Sequence, residues 1–309
     1  MLLIIEVLVL IKNDYFLHYQ EMPIKFKIVK RILNNSIFDE NVIYIILHHY
    51  WTILPKRKLL LPWIDIKDLD WNELSKNKNA ISLLKDNLDK VNWDYLSGNK
   101  NAISILKNHP DKINWNYLSL NKNAIELLQD NFDKISWSDL SSNENAISIL
   151  WDNIDKIDWI KLSLNINAID ILNKYKHKID WDYLTENKNA IELLKNNKHK
   201  INFEYLALNH NAIDLIKDNL DKINWCYLSL NPNAISILQK YHHKIEWYYL
   251  SENINAIELL KDNLDKVNWD LLCLNQNAID ILYNNQDQID WYFLSQNPSI
   301  FVDERMPEI

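Results

Sequence analysis

Histidine is the residue type in this chain that first suggests a metal site. His177, His199 and His243 are separated by multiples of 22 residues, so they occupy equivalent places in a repeating sequence. Neighbouring helical units pack about 8–10 Å apart, and histidines at that spacing can share one zinc ion, at about 2.1 Å each, only if their side chains converge. The adjacent pairs His48-His49 and His242-His243 have no accompanying cysteine or carboxylate pattern. We therefore predict no metal and no cofactor.

Phosphate-transfer and nucleophilic chemistry also lack a motif in this sequence. Phosphate-cradling loops need several glycines, whereas the chain has one glycine in 309 residues. The sequence contains no P-loop, no Gly-rich dinucleotide turn and no nucleophile elbow. The weaker alternative is an enzyme with its site in residues 1–60, where no catalytic constellation is visible. We predict that the protein is not an enzyme.

Tryptophan defines the repeating element that positions the other residues. It recurs every 22 residues without insertion or deletion, with one phenylalanine in the series. The members of the series are Trp71, Trp93, Trp115, Trp137, Trp159, Trp181, Phe203, Trp225, Trp247, Trp269 and Trp291. With each of these counted as position 1, the unit reads W-x-x-L-S-x-N-x-N-A-I-x-(L/I)-L-x-x-N-x-D-K-I-(N/D). A period this regular is typical of a stacked repeat array.

The unit predicts two short helices, named here helix A and helix B. The apolar residues at positions 10, 11, 13 and 14 follow helical rather than alternating spacing. Asn, Asp or Ser at position 22 predicts the N-cap of helix A, and Asn at position 7 predicts the N-cap of helix B. Asn at position 17 predicts that helix B ends in a left-handed conformation. Isoleucine or valine at position 21 and leucine at position 4 have the spacing of a hydrophobic staple.

The predicted fold class is all-α, an α-solenoid of ten 22-residue two-helix repeats with partial capping units. Stacking buries the apolar side of each unit on its neighbours, so we expect an elongated rod with a free outer surface. The asparagines at positions 7 and 9 are interpreted as helix caps and inter-repeat hydrogen bonds rather than as a peptide-binding groove. The residues assigned a structural role are Trp93, Trp115, Asn99, Asn121, Ala102, Ala124, Ile103 and Ile125.

Four segments make up the predicted domain organisation. Residues 1–60 form a non-repeat N-terminal helical segment. Residues 63–70 resemble a truncated unit and should form a partial N-terminal cap, which is followed by the ten repeats of 71–290. Residues 291–309 begin an eleventh unit that decays into a polar end, as expected for a C-terminal cap.

The N-terminal segment leaves several interpretations open. The apolar run 2–11 is ten residues long, whereas a membrane-spanning helix needs about 20, and the run lacks the basic start and cleavage site of a signal peptide. Met22 offers a second possible start. The apolar stretches 24–33 and 42–54 predict two or three helices docked on the first repeat, and 42–54 motivates an F-box-like alternative. With two cysteines in the chain, we expect a reducing intracellular location, no secretion and no membrane association.

The repeat resembles a known class of viral sequences. The pattern W-x-x-L-S-x-N-(P/K)-N-A-I-x-L-L-x-x-N-x-D-K-I-N, over residues 63–301, is similar to the short Trp/Asn-rich repeats encoded by amoeba-infecting giant DNA viruses of the Mimiviridae type. The lead-in Trp63-Ile64-Asp65-Ile66 resembles the way those arrays begin. Abundant Asn, Ile, Lys, Asp and Tyr, as AT-rich codons produce, agree with this. The resemblance implies a viral source, a place in the host cytoplasm and a repeat architecture, and it supplies no catalytic residues.

Position 3 of the unit is the main candidate for partner binding. It holds tyrosine in most units and Glu, Asp or Lys in others, so stacking would align the rings as an aromatic ribbon on helix A. Tyrosine is favoured in recognition surfaces because it is large, stiff and amphipathic. The alternative is that each ring simply packs over its neighbour. The candidate residues are Tyr95, Tyr117, Tyr183, Tyr205, Tyr227 and Tyr249.

Positions 6 and 12 receive structural interpretations. Leucine at position 6, as in Leu120, has the spacing to staple to the isoleucine five residues on, here Ile125, and so to join the core. The acidic residues at position 12 indicate a solvated face with helical ion pairs such as Glu192–Lys195 and Glu258–Lys261.

Net charge restricts the kind of partner. The chain has 34 Lys and Arg against 42 Asp and Glu, a formal charge of −8, whereas sequence-independent binding of nucleic acid needs clustered basic residues. A basic partner fits better. We therefore predict a monomeric, non-enzymatic protein–protein interaction scaffold that binds host or viral proteins and no nucleic acid. The alternatives are a substrate adaptor for a ubiquitin ligase and a structural virion component.

Overall fold

The computed structural model describes residues 40–53 and 57–304, which fall into two compact units. One unit contains the residues up to Leu59 and those from Val302 onward, and the other is Leu60–Phe301. In the first unit, α1 (Glu40–Ile53) confirms the helix expected over 42–54. The expectations for 2–11 and 24–33 lie outside the described residues.

Helix pairs of nearly constant length build the second unit. Even-numbered helices are helix A of successive repeats and begin at position 1, and odd-numbered ones are helix B and begin at position 11. Their bounds are α2 (Trp71–Lys76), α3 (Ile81–Lys85), α4 (Trp93–Gly98), α5 (Ile103–Asn108), α6 (Trp115–Leu120), α7 (Ile125–Gln129), α8 (Trp137–Ser141), α9 (Ile147–Trp151), α10 (Trp159–Leu164), α11 (Ile169–Lys174), α12 (Trp181–Glu186), α13 (Ile191–Lys195), α14 (Phe203–Leu206), α15 (Ile213–Lys217), α16 (Trp225–Leu230), α17 (Ile235–Lys240), α18 (Trp247–Leu250), α19 (Ile257–Lys261), α20 (Trp269–Leu274), α21 (Ile279–Tyr283) and α22 (Trp291–Gln296). The all-α repeat architecture is confirmed.

The core runs through the stack as columns of equivalent residues. In the repeat that begins at Trp115, Leu118, Ala124 and Leu128 are fully buried. Small alanine at position 10 is buried in all ten full repeats, as its role in close packing requires. Trp115 is half-buried at the border of this core, where the ammonium of Lys134 lies 4.6 Å from its ring centroid. The tryptophans and the isoleucines of position 11 therefore border the core rather than fill it.

The Asn and Asp residues predicted to cap helix A do so, whereas Ser136 makes no cap hydrogen bond and the predicted caps of helix B form differently. Asn114, for example, accepts the N–H of Tyr117 at the start of α6. Helix B begins later than expected because positions 8–10 form a turn, and the alanine at position 10 is its N-cap residue. The left-handed ending at position 17 is wrong, since no described residue has a positive φ. Asn131 at this position instead donates its side-chain amide to the carbonyl of Leu127, which satisfies a helix-end acceptor.

Asparagine at position 7 connects each repeat to the one before it. The buried amide of Asn121 donates to the carbonyls of Ser97 and Asn99, both at 3.0 Å. Its own oxygen accepts the N–H of Asn123 at 3.0 Å. The same two bonds to the preceding unit recur for every position-7 asparagine from Asn77 to Asn297. The structural interpretation of these asparagines is confirmed.

The two ends of the repeat array meet and close it into a ring. Asn77 of the first repeat donates to the carbonyls of Ser295 and Asn297 at 2.9 and 3.0 Å, the bonds that link consecutive repeats elsewhere. The N–H of Asp70 donates to the hydroxyl of Ser295 at 2.8 Å, and α22 packs against α2. The expectation of an open rod is therefore wrong for this unit.

A composite eleventh repeat makes the closure. Leu60–Phe301 is 242 residues long, eleven times the 22-residue period, so 291–301 supply positions 1–11 and 60–70 supply positions 12–22. Two strands, β1 (Lys58–Leu60) and β2 (Phe301–Asp303), pair where helix B would begin. The predicted caps 63–70 and 291–309 thus share one repeat as far as residue 301, because each half buries the apolar face that the other leaves open.

We predict that Asn121→Ala destabilises the ring by about 2–4 kcal/mol, because it removes two buried hydrogen bonds, and of their two acceptors the Asn99 carbonyl keeps only the N–H of Ala102. Chemical denaturation followed by circular dichroism would measure the loss. Asn123→Ala is the matched control, since the Asn123 side chain donates to a single exposed carbonyl, that of Lys100, and it should cost less than about 1 kcal/mol. Equal losses in the two variants would contradict the assigned role of position 7.

Closure makes a separate prediction for the first repeat. Asn77→Ala should cost as much as Asn121→Ala, because both side chains bond the two carbonyls of a preceding unit. In an open array Asn77 would have no preceding unit, and its removal would be nearly neutral. The same denaturation experiment distinguishes these outcomes.

Candidate functional site

The surface that carries the predicted tyrosines consists of positions 2, 3 and 6 of helix A, called here the helix A face. Positions 4 and 5 of the same helices enter the core, as Leu118 and Ser119 do in α6. Positions 2, 3 and 6 project away from it, and in α6 all three are exposed. The helical periodicity therefore places positions 4 and 5 in the core and positions 2, 3 and 6 on the surface.

We infer that the helix A face lines the inner wall of the ring. Most consecutive helices A pack closely on one another, whereas consecutive helices B are less closely packed, and the more closely spaced elements of a closed ring lie at the smaller radius. The ring centroids of Tyr183, Tyr205 and Tyr227 are 6.4 and 6.3 Å apart. Packed helix axes are about 8–10 Å apart, so these side chains converge as they leave their helices.

The predicted tyrosines form separate groups rather than one ribbon. Tyr183, Tyr205 and Tyr227 are stacked with interplanar angles of 14°. Tyr95 and Tyr117 meet edge to face at 5.8 Å. Tyr249 contacts Tyr248 of its own helix at 5.1 Å rather than the neighbouring predicted tyrosine. The tyrosine rings therefore pack on one another and are also accessible to solvent, since Tyr117 and Tyr183 each remain 38% exposed.

A salt bridge separates the two tyrosine groups. Lys161 donates to Asp139 at 2.8 Å. The two residues occupy position 3 of consecutive repeats. Ser136 donates to the same carboxylate at 2.7 Å. Burial acts to raise the pKa of Asp139, but the hydrogen bonds from Lys161 and Ser136 outweigh it and hold the pKa below its ordinary value of 3.8. Asp139 is therefore ionised and paired at neutral pH.

A second ion pair lies where the ring closes. Glu73 is buried at position 3 and accepts from Lys76 at 2.8 Å. The Lys76 ammonium also lies 4.1 Å from the ring centroid of Tyr95 in the next repeat. A hydrogen bond to the Glu73 carboxylate raises the pKa of Tyr292, which keeps that phenol protonated. Lys76 therefore pairs with the Glu73 carboxylate and also contacts the ring of Tyr95.

The helix A face concentrates negative charge. It contains eight carboxylates and two ammonium groups, so its formal charge of −6 accounts for most of the −8 of the chain. Both lysines, Lys76 and Lys161, are committed to ion pairs with Glu73 and Asp139. The other carboxylates are Asp94, Asp182, Glu186, Glu204, Glu252 and Asp270. The inner wall is thus acidic as well as aromatic.

Leucine at position 6 also belongs to this face, which corrects the prediction that it joins the core. Leu120 is 41% exposed, and Leu164 and Leu230 are half-exposed. The staple to position 11 is not needed because the turn at positions 8–10 already fixes the start of helix B.

Residues at position 2 were missed as candidates: Ile160, Tyr248 and Tyr292 are 50, 54 and 48% exposed. Their variability within the repeat is the signal that could have identified them.

The remaining candidate residues lie apart from one another or in the core. His177, His199 and His243 are exposed in separate 3₁₀ turns. Within 40–53 and 57–304, no group of three His, Cys, Asp or Glu residues could hold a metal ion. Burial raises the pKa of Cys273 to about 12, so its thiol stays protonated at neutral pH. Cys226 is half-exposed at position 2.

The expected ion pairs on helix B are present, with 3.0 Å between Glu192 and Lys195 and between Glu258 and Lys261. None of the described helices combines the length and apolar character needed to cross a membrane.

Comparisons with known proteins give no relative. No protein-family model, curated protein or solved structure matches the chain.

The Asp139–Lys161 pair predicts an acid-dependent loss of stability. Because the pKa of Asp139 is lowered in the folded protein, its contribution is fully present above the ordinary value of 3.8 and is lost as the pH falls through the folded pKa. Asp139→Asn should cost up to about 1 kcal/mol at neutral pH, and this difference from the unsubstituted protein should shrink below pH 3.8. Melting temperatures measured across acidic pH would test this. Asp170→Asn, at an exposed place on helix B, is the control and should show no such convergence.

Proposed function

We propose that the ring is a non-enzymatic protein-binding scaffold whose helix A face receives a segment of a host or viral protein. The supporting observation is the location of the large apolar side chains that remain exposed. Ten such residues are exposed in Leu60–Phe301, and six of them lie on this face: Tyr117, Leu120, Ile160, Tyr183, Tyr248 and Tyr292. Exposed aromatic and aliphatic groups that share one surface are typical of sites for protein partners.

The dimensions of the ring are compatible with such a partner. Eleven helices at the usual spacing of about 9 Å describe a circle about 30 Å across between helix axes. A helix with its side chains has a radius of about 5–6 Å, so a passage on the order of 20 Å remains. An extended chain or a single α-helix about 10–12 Å in diameter is narrow enough to occupy it.

The rigidity of the wall favours binding. Each tyrosine is carried by a short helix whose core residues and position-7 asparagine are fully engaged, so little side-chain or backbone order has to be created when a partner binds. Stacking among Tyr183, Tyr205 and Tyr227 further restricts these rings. Preorganised aromatic residues contribute contact area at low entropic cost.

Photo-crosslinking with a benzoylphenylalanine residue tests this proposal. The residue is placed at position 117 or 183 on the helix A face, and at 151 or 283 as matched controls. Trp151 and Tyr283 are also exposed, at 40 and 52%, but belong to helix B. We expect discrete crosslinked proteins from the helix A positions and none from the controls. Crosslinks of equal yield from both sets, or none from the helix A positions, would refute the proposal.

Alanine substitution provides an independent readout on the captured partner. Replacing Tyr117, Tyr183, Tyr205 and Tyr227 together should abolish its co-purification while the circular dichroism spectrum is retained. Substituting phenylalanine at the same four positions keeps the rings and should preserve most of the binding. Unchanged co-purification by the alanine variant would exclude the tyrosines as contacts.

A further inference from the structure

The three stacked tyrosines of the inner wall lie among carboxylates that lack a cation. Tyr183, Tyr205 and Tyr227, together with Asp182, Glu186 and Glu204, are called here the tyrosine arc. No Lys, Arg or His of residues 40–53 and 57–304 lies within 4.0 Å of these three carboxylates. Asp182 and Glu204 accept from the side-chain amides of Asn202 and Asn224 at 2.9 and 3.5 Å.

The repeat geometry places each position 6 beside the position 3 of the next unit. At the start of the array, Lys76 lies over Tyr95 in this way. A Cβ added to Gly98 would lie 3.7 Å from Cδ1 of Tyr117. Glu186 and Tyr205 have the same relation in the tyrosine arc. Burial raises the pKa of Tyr205, and the charges of its tyrosine neighbours and of Glu186 and Asp182 raise it further.

The first repeat shows that a carboxylate and a neighbouring tyrosine ring can together hold an ammonium group. There the Lys76 ammonium pairs with Glu73 at 2.8 Å and lies 4.1 Å from the centroid of Tyr95. The tyrosine arc has the same chemical components, a tyrosine ring and a half-buried carboxylate, but its position 6 is the acid Glu186 rather than a lysine. Burial raises the pKa of Glu186, as expected for a carboxylate without a cation. A cation supplied from outside would restore the pairing that the first repeat makes internally.

We propose that the tyrosine arc binds lysine or arginine side chains of a basic polypeptide segment, with each cation lying against a tyrosine ring and pairing with Asp182, Glu186 or Glu204. This inference rests on the proposed protein-binding function and specifies the chemistry of the partner. The formal charge of −6 on the helix A face favours a segment with several positive charges. Cation–π contact and charge pairing act on the same group, so binding selects basic side chains over neutral ones.

Fluorescence anisotropy with labelled decalysine tests the proposal on the full chain. The unsubstituted protein should bind the probe at low salt and bind decaglutamate not at all. Asp182→Asn, Glu186→Gln and Glu204→Gln together should weaken binding by about tenfold or more. The matched control is Asp170→Asn with Glu192→Gln and Glu258→Gln, which removes the same charges from helix B and should weaken binding less than about threefold.

The tyrosines are tested in the same assay. Tyr183→Ala, Tyr205→Ala and Tyr227→Ala together should weaken decalysine binding by about tenfold, whereas phenylalanine at the three positions should retain it because the ring faces remain. Spermine carries ammonium groups without a polypeptide and should bind more weakly than decalysine. Unchanged circular dichroism establishes that each variant is folded.

Four results would overturn the inference: no binding of decalysine, equal weakening by the two charge-removing variants, no effect of the tyrosine-to-alanine variant, or spermine binding as tightly as decalysine. Its failure is distinguishable from that of the proposed function. If crosslinking from positions 117 and 183 succeeds while decalysine does not bind, the ring binds proteins through apolar contacts instead. If both experiments fail, the protein-binding proposal fails as well.

Discussion

The structure depends on one interaction, the buried side-chain amide of position 7 that donates to two carbonyls of the preceding repeat. Short helices such as α6 and α7 are marginal alone, so they need a neighbour that fixes their separation and direction. Apolar packing of Leu118 and Leu128 supplies attraction but little directionality. The two bonds made by Asn121 hold the end of helix A at a fixed place on the preceding unit. Because an unsatisfied buried carbonyl is costly, every unit adopts the same relation to its neighbour.

A constant relation between units determines the shape of the array. Equal rotations add up, and a rotation of about 33° per unit closes a ring of eleven. The composite repeat then removes the exposed ends that capping units would otherwise have to cover, because 60–70 and 291–301 complete one another. Closure also contributes to the burial of Glu73, because it brings Tyr292 of the last repeat into hydrogen-bonding contact with this carboxylate.

The residues of the inner wall can vary from one repeat to the next. Positions 4, 5, 7, 10 and 14 are buried and supply the framework, so positions 2, 3 and 6 can change without disturbing it. The chain uses this freedom to place tyrosines, leucines and carboxylates at equivalent sites. Ion pairs such as Asp139–Lys161 separate the aromatic groups, and the tyrosine arc retains its carboxylates unpaired. A repeated scaffold thus presents a surface that differs from one sector to the next.

The sequence alone determined the repeat, the two helices per unit, the cap at position 22 and the structural role of position 7, because these follow from periodicity and local hydrogen-bonding chemistry. It also identified Tyr117 and Tyr183 as candidates for partner binding, and the tertiary structure decided that both are exposed. It misjudged the end of helix B, where Asn131 bonds back to Leu127 instead of adopting a left-handed conformation. Closure, the place of Leu120 on the inner wall and the unpaired state of Glu186 were decided by the tertiary structure. Each depends on the rotation between successive units and on contacts across repeats, and a local pattern of 22 residues contains neither.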